Sequence, residues 1–263
     1  MMDAFLEQIN ELNELQKELV QIHPLFTNHY PIVVANEMLL YMYDYSPEKQ
    51  QYEWVKTVPD DLNIPEGCLA AMPVHHLNER TCAIVTDEAF QSFEMKIYLF
   101  HEFVHCYVHE HYEHIGDRVE IKRTMEKRRR VTWELDYEFP YDDETIVQRI
   151  GILQDALKDQ KLDRIRQARQ ALFQALSEEA GEYWCWLEWN EGYARYIENR
   201  IRSRFGLALN HLGEDAPYNR LLFYECGSEY IRLLIEGHSE LHTDLEQLFD
   251  ILQSERLEQL QTH

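Results

Sequence analysis

The spacing of apolar residues changes twice along this chain of 263 residues. Residues 3–22 place apolar side chains three or four positions apart, a pattern typical of an amphipathic helix, and His23-Pro24 is expected to end it. Residues 30–86 contain short runs rich in Val, Ile, Tyr and Thr, separated by prolines, which predict a small sheet. Helical spacing then returns from Asp87 onward. The sequence therefore predicts an α+β, mainly helical protein with a small N-terminal sheet and a C-terminal helical lobe.

Five helical regions are predicted after the sheet. The helical region after Asp87 is expected to continue through His114 and to end at Gly116. The region 144–176 is either one helix or two helices joined near Lys158-Asp159. Three more helices are predicted over 178–204, 217–236 and 243–260, and the spacing of Thr243 and Glu246 predicts a capping box at the start of the last one.

The chain is strongly acidic, with 48 acidic and 25 basic residues and a formal net charge of −23. Such a charge repels nucleic acid and anionic membranes, so neither is an expected partner. No apolar run approaches the roughly 18 residues that a membrane-spanning helix needs. The first twenty residues also lack the basic and apolar regions of a secretory signal peptide.

The five cysteines are odd in number, widely spaced and never arranged as CxxC. This pattern argues against a disulfide framework and against a thiolate zinc site. We therefore expect reduced thiols and a cytoplasmic location.

Residues 117–130, DRVEIKRTMEKRRR, invert the overall charge of the chain, with seven basic and three acidic residues. A docking patch for an acidic partner is one interpretation. The favoured interpretation is a basic face that neutralises the acidic body.

Residues 101–114, HEFVHCYVHEHYEH, contain five histidines. The first five residues form HExxH, and on a helix His101 and His105 point the same way, one turn apart. Two imidazole nitrogens can then bind one Zn²⁺ at about 2.0–2.1 Å. Glu102 lies beside that face, where its carboxylate can accept a proton from a zinc-activated water. Apolar residues at helical spacing are expected to bury this helix: Ile97, Phe100, Phe103, Val104, Tyr107 and Val108.

The later histidines of this stretch compete for the role of third ligand. His109 is about 12 Å from His101 along a straight helix, too far to share one ion. His111 stands where the metzincin motif HExxHxxGxxH has its third histidine, but that motif requires glycine where this chain has Val108. We interpret His109, His111 and His114 as exposed polar residues, and a metzincin-like site with His111 is the alternative.

A glutamate on a later helix is the favoured third ligand. Residues 184–198 read WCWLEWNEGYARYIE, in which NEGYARY (190–196) resembles the N-E-G-x-A-x-Y pattern of gluzincin metallopeptidases, especially the aminopeptidase N-like and related MA families. The resemblance implies a zincin-like fold and a His101/His105/Glu191 site with one Zn²⁺ per chain. The small residues Gly192 and Ala194 are expected to let this helix approach the HExxH helix closely.

A third segment, LLFYECGSEYIRLL (221–234), resembles the Y-x-x-G helix of the same families. In those families a tyrosine hydroxyl reaches the scissile carbonyl as its oxygen becomes an oxyanion. The matching residue is Tyr224, with Gly227 three positions on, and Tyr230 is the second candidate. A tyrosine that only packs in the core is the alternative for either residue.

The sequence departs from the family pattern in two places. The segment between His105 and Glu191 is much longer than in aminopeptidase N-like enzymes, so residues 117–180 are expected to form an inserted helical module between parts 1–116 and 181–263. The exopeptidases of that family also carry a Gly-x-Met-Glu-Asn segment that binds the free amine of the substrate. The nearest candidate, residues 67–73, lacks the glutamate.

These residues together predict a zinc-dependent peptidase whose partner is a peptide or protein substrate. Glu102 acts as general base, and the C-terminal lobe supplies Glu191 and Tyr224 across a cleft. A cytosolic regulatory protease specific for one partner protein is a second enzyme hypothesis, with 117–180 as its docking module. A non-catalytic zincin-like binding protein is the alternative from another class.

Overall fold

The computed structural model describes residues 2–127 and 132–260. The chain divides into two compact units, of which the first comprises Met1–His111 with Ile197–Leu209 and the second comprises Tyr112–Tyr196 with Asn210–His263. Each unit is therefore built from two separate parts of the sequence.

The first unit contains helix α1 (Met2–Leu19), a five-stranded sheet and most of helix α2 (Phe93–Gly116). The sheet has the order β3-β2-β1-β5-β4. Strands β1 and β5 are parallel, and the other neighbours are antiparallel. The predicted small N-terminal sheet is thus confirmed, as a mixed sheet. Its strands are β1 (Ile32–Asn36), β2 (Leu39–Ser46), β3 (Gln51–Pro59), β4 (Leu69–Val74) and β5 (Arg80–Thr86).

Two local features shape this sheet. Glu37 and Met38 join β1 to β2, and both have positive φ angles (51° and 62°), as the tightest hairpin turns require. Strand β3 lies at one edge of the sheet, where unpaired backbone groups need partners. The side-chain amide of Asn10 supplies them, since it accepts from the backbone N–H of Tyr52 (2.8 Å) and donates to the Tyr52 carbonyl (3.2 Å). Helix α1 therefore covers this edge.

Aromatic side chains pack helix α2 against other residues of the first unit. Phe100 packs edge-on against Phe26 at 5.8 Å between ring centroids, and Phe103 packs against Tyr30 at 5.6 Å. The helix includes Ile97, Phe100, Phe103 and Val104, all buried as the sequence predicted. One face of the HExxH helix is therefore anchored by apolar packing.

The second unit is helical and has an aromatic core around Trp184 and Phe223, which pack edge-on with ring centroids 5.1 Å apart. A π-helical segment (Glu188–Gly192) continues α7 directly into α8 (Tyr193–Arg204), whose residues from Ile197 belong to the first unit. The remaining helices are α3 (Glu120–Lys127), α4 (Trp133–Asp136), α5 (Glu144–Lys158), α6 (Leu162–Phe173), α7 (Glu178–Leu187), α9 (Leu221–Gly237) and α10 (Leu245–Leu260).

The helical regions predicted from periodicity are confirmed, including the break after Lys158. The predicted cap at Thr243 is wrong. The side chain of Asp244 accepts from the backbone N–H of Gln247 (2.9 Å), whereas the Thr243 hydroxyl donates to the carbonyl of Glu240. Asp and Thr are both good caps, and the choice depends on where the preceding 3-10 turn ends.

Two glycines meet where α9 crosses the π-helical segment. A β-carbon on Gly192 would lie 2.6 Å from the α-carbon of Gly227, and one on Gly227 would lie 2.8 Å from the carbonyl oxygen of Glu188. Gly192 therefore allows a close helix crossing, as the sequence predicted, but the helix that packs against it is α9. The prediction named the HExxH helix as its neighbour.

The described part of the basic segment 117–130 is paired with acidic side chains. Arg118 contacts Asp250 and Glu246 of α10, and Arg123 contacts Glu120. These contacts agree with a face that neutralises acidic groups. Residues 128–130 lie outside the described residues. Within the ranges that the structure describes, no helix has both the length and the apolar character needed to cross a membrane.

Candidate functional site

His101 and His105 lie side by side on α2, as their spacing requires. Their ring centroids are 4.9 Å apart and the rings are inclined at 63°. His101 is buried and His105 is half-buried. Since residues at i and i+4 share one helix face, both imidazoles are presented in the same direction. The predicted pair of histidine ligands is thus brought together within the first unit.

Glu198 holds the His101 ring from α8. Its side chain is completely buried, and its Oε2 atom lies 3.1 Å from Nδ1 of His101. A carboxylate accepts hydrogen bonds, so this contact places the imidazole proton on Nδ1 and the ring lone pair on Nε2. The other oxygen of Glu198 accepts from Nε of Arg202 at 3.0 Å. Glu198 therefore fixes both the tautomer and the orientation of His101.

Glu102 lies beside this pair and is buried. The negative charge of Glu102 contributes to the pKa values of two thiols. Burial is the main reason that the pKa of Cys106 lies well above its ordinary value, and the charge of Glu102 raises it further. The same two causes raise the pKa of Cys68, which precedes strand β4. The general-base candidate is therefore in a weakly solvated environment.

Glu191 lies in the π-helical segment of the second unit and is also buried. Its Oε1 atom forms an ion pair with Nη2 of Arg220 at 2.7 Å, and the same nitrogen lies 3.0 Å from Glu134. Burial disfavours the charge on Arg220, but the attraction of Glu191 and Glu134 outweighs it and raises the pKa of the guanidinium. Single-turn π-segments are frequent at functional sites because they redirect side chains within a helix.

Glu191 and Glu198 are related by the helix that carries both. Seven residues separate them along a continuous helical stretch, which corresponds to about two turns and about 10 Å of axial rise. Two turns bring a helix back to nearly the same direction. The side chains of Glu191 and Glu198 therefore lie on nearly the same face of this helix.

Tyr224 lies on α9, half-buried, and belongs to the Arg220 cluster. Nη1 of Arg220 lies 3.3 Å from the Tyr224 hydroxyl oxygen. The guanidinium of Arg195 is over the tyrosine ring, 5.2 Å from its centroid. The structure thus connects two predicted site residues, Glu191 and Tyr224, through an arginine that the sequence did not indicate.

Tyr230, the second tyrosine candidate, has a different environment. It is buried, its hydroxyl donates to Glu255, and the guanidinium of Arg169 lies 4.3 Å above its ring. Arg169 also forms a buried ion pair with Glu188. These contacts make Tyr230 part of a buried ionic network of the second unit and favour Tyr224 for the site.

The other histidines of 101–114 have separate partners. Nδ1 of His109 lies 3.1 Å from the Thr81 hydroxyl. His111 is exposed near Tyr107 and Glu110, and His114 lies 3.5 Å from a carboxylate oxygen of Glu246. His111 and His114 are therefore exposed as predicted, whereas His109 is half-buried.

Comparisons of the chain with protein-family models, with curated proteins and with solved structures gave no match. The functional interpretation therefore rests on the residues of the chain and their geometry.

Proposed function

We propose that this chain is a zinc metallopeptidase of the gluzincin type with a zincin-like fold. His101, His105 and Glu191 would hold one Zn²⁺ per chain. The observation that carries the proposal is the pair of adjacent imidazoles on a packed helix, with Nδ1 of His101 bound by the buried carboxylate of Glu198. An outer carboxylate of this kind is the usual partner of a zinc-binding histidine.

The donor set fits the proposed ion. Two imidazoles and one carboxylate are a known ligand set of catalytic zinc, in which a fourth position remains open for water or substrate. The phase of the helix supports Glu191 as the carboxylate, since it shares a face with Glu198. Arg220 would then be the outer partner of Glu191, as Glu198 is of His101.

The chemistry proposed for the site is hydrolysis of a peptide bond. When bound, the zinc ion would supply Lewis acidity and lower the pKa of a water molecule in the site towards neutrality. Glu102 accepts the proton of the attacking water and returns it to the leaving amine. Tyr224 donates a hydrogen bond to the carbonyl oxygen as that oxygen gains negative charge. Arg220 supports this role, because it donates to the phenol oxygen and so directs the phenol proton elsewhere.

The substrate proposed is a peptide or protein segment, with neither nucleic acid nor membrane as a partner. Strand β4 is an edge strand of the sheet. Cys68 precedes this strand, and the charge of Glu102 adds to the effect of burial in raising the pKa of its thiol. An extended peptide can add to such an edge through backbone hydrogen bonds. We also propose a cytoplasmic location, which the five free thiols support.

The test combines metal analysis with peptide cleavage. The purified chain should contain one zinc ion dependent on His101, and it should cleave members of a broad peptide library until a chelator removes the metal. The matched control is Glu102→Gln, which should retain zinc and fold but lose about two to four orders of magnitude in rate. A chain that binds zinc at His101 yet cleaves no peptide would favour the binding-protein hypothesis. A Glu102→Gln variant with an unchanged rate would reject the proposed mechanism.

A further inference from the structure

The second unit contains a cavity that the proposed peptidase site does not use. Its volume is about 310 Å³, and it is bordered by α5, by the loop before α9 and by α9 itself. The charged residues of its lining are mostly acidic, with Glu214, Glu225 and Glu229 against the single lysine Lys158, and His211 also lines it. A water molecule occupies about 30 Å³ in the liquid, so the cavity has room for a hydrated cation.

Glu225 is the most unusual group in this cavity. Its side chain is 6 % exposed, and its Oε1 atom lies 2.9 Å from Nδ1 of His211. Its Oε2 atom is buried and has no hydrogen-bond partner among the residues that the structure describes. Burial raises the pKa of this carboxyl group, although His211 opposes the shift. A buried carboxylate oxygen without a partner costs free energy, so its presence requires an explanation.

The donor atoms around Glu225 converge. One ligand atom each from His211, Glu214 and Glu225 lie within 4.8 Å of one another. In a tetrahedral zinc site with bond lengths of about 2.0–2.2 Å, two ligand atoms are about 3.4 Å apart. The side chains would therefore have to move together by up to about 1.4 Å to close the site around an ion.

The loop that supplies His211 and Glu214 is held in place by its backbone. Gly213 has φ = 109°, and a β-carbon there would lie 2.1 Å from the carbonyl oxygen of Leu221, so glycine is required. The side-chain amide of Gln154 donates to the carbonyl of Glu214 at 2.7 Å, and the hydroxyl of Tyr218 donates to Gln154 at 2.8 Å. The backbone of this loop is therefore already fixed in the conformation that places His211 and Glu214 near α9.

Lys158 occupies the position of a replaceable counter-ion. Its Nζ atom lies 2.7 Å from Glu214, and this hydrogen bond lowers the pKa of that carboxyl group. The lysine side chain is largely exposed, so it can return to water at little cost, because an exposed ion pair contributes little stability.

We propose that His211, Glu214 and Glu225 form a second metal site, separate from the HExxH helix, which takes a divalent transition-metal ion such as Zn²⁺. Imidazole and carboxylate donors suit this class of ion. The ion would give the orphan oxygen of Glu225 its partner, and it would tie the loop at 211–214 to α9. Its expected role is to stabilise the second unit.

The test is a zinc titration of the full chain, monitored by calorimetry and by metal content after dialysis. In a His101→Ala/His105→Ala background one ion per chain should remain, and adding His211→Ala or Glu225→Gln should weaken its binding at least tenfold. If that background does not fold, the wild type provides the count, with two ions expected and one lost in His211→Ala. The control is His75→Ala/His76→Ala, which removes one exposed and one half-buried histidine that contact Asp61 and should change nothing.

A thermal melt gives an independent measurement. In the His101→Ala/His105→Ala background, zinc at a hundredfold excess over Kd should raise the Tm by about 5–10 °C, and the same background with His211→Ala added should show almost no rise. The proposal would be overturned if neither His211→Ala nor Glu225→Gln changed zinc binding. It would also be overturned if the wild type never bound more than the one zinc ion per chain that depends on His101. Loss of peptidase activity alone would not affect it, because the two sites are removed by different substitutions.

Discussion

Nδ1 of His101 lies 3.1 Å from a carboxylate oxygen of Glu198, and the other oxygen of that carboxylate is bound by Arg202. The hydrogen bond joins residues 97 positions apart in the sequence. A buried carboxylate requires strong partners, and here these are a histidine and an arginine. Glu198 is consequently suited to orient a metal ligand, even though it does not lie in the HExxH motif.

Glu198→Ala should lower zinc affinity by about 10–100-fold, which is typical when the outer partner of a metal-binding histidine is removed. The measurement is competition for zinc against a chromophoric chelator. Arg202→Met is the matched control, since it removes the other partner of Glu198 but leaves His101 in contact with the carboxylate. Equal zinc affinity in Glu198→Ala and the wild type would show that Glu198 has only a packing role.

The histidines of α2 should divide into ligands and surface residues. His105→Ala should lose the zinc ion proposed for the HExxH helix, whereas His109→Ala, one turn further along the same helix, should retain that ion, because His109 is paired with Thr81. Metal content of the purified variants by mass spectrometry distinguishes them. Glu191→Ala should behave like His105→Ala. Zinc retained in Glu191→Ala but lost in His111→Ala would instead support the metzincin-like alternative.

The elements of the fold were predictable because helix and strand periodicity are local signals. The sequence alone shows the break between α5 and α6, and it shows the change from helical to strand-like spacing near residue 30. The parallel pairing of β1 with β5 is not, since it joins Ile32 to Ala83 across the intervening strands. The role of Asn10 at the edge of β3 was missed for the same reason.

The candidate site shows the same division. HExxH is a local motif, so the two histidines could be placed on one helix face from spacing alone. Arg220 and Glu198 were missed because their partners are distant in the sequence. A signal for Glu198 did exist, since it follows Glu191 by about two helical turns.

The crossing of α9 over the π-helical segment should depend on Gly227. Gly227→Ala would place a β-carbon 2.8 Å from backbone atoms of Glu188 and Gly192, which cannot move aside as a flexible side chain would. Overpacking of this kind costs about 1–3 kcal/mol, so the Tm should fall by about 2–12 °C. Differential scanning calorimetry is the measurement.

The control for this substitution is Gly151→Ala in α5, where an added β-carbon meets no atom within 4 Å. Alanine is favoured over glycine within a helix by about 1 kcal/mol, so this variant should be slightly more stable than the wild type. Similar melting temperatures for the two variants would contradict the close crossing.

Tyr224 should affect catalysis without affecting stability. A group that donates to an oxyanion acts only in the transition state, so Tyr224→Phe should lower kcat by about 10²–10³ and leave KM nearly unchanged. Its ring packing is retained, because Arg195 and Arg220 contact the ring face. Zinc content and Tm should therefore stay close to the wild-type values. Steady-state kinetics on one good peptide substrate, with a thermal melt, make the comparison.

Tyr230→Phe provides the matched control on the same helix. It removes a hydroxyl that donates to the carboxylate of Glu255, and a hydrogen bond to a charged group is worth about 1.5–3 kcal/mol. Its Tm should fall by several degrees, while kcat should remain that of the wild type, since its hydroxyl lies in the Arg169 network. If the two variants show the reverse pattern, with Tyr224→Phe destabilised and Tyr230→Phe inactive, Tyr230 replaces Tyr224 as the oxyanion donor.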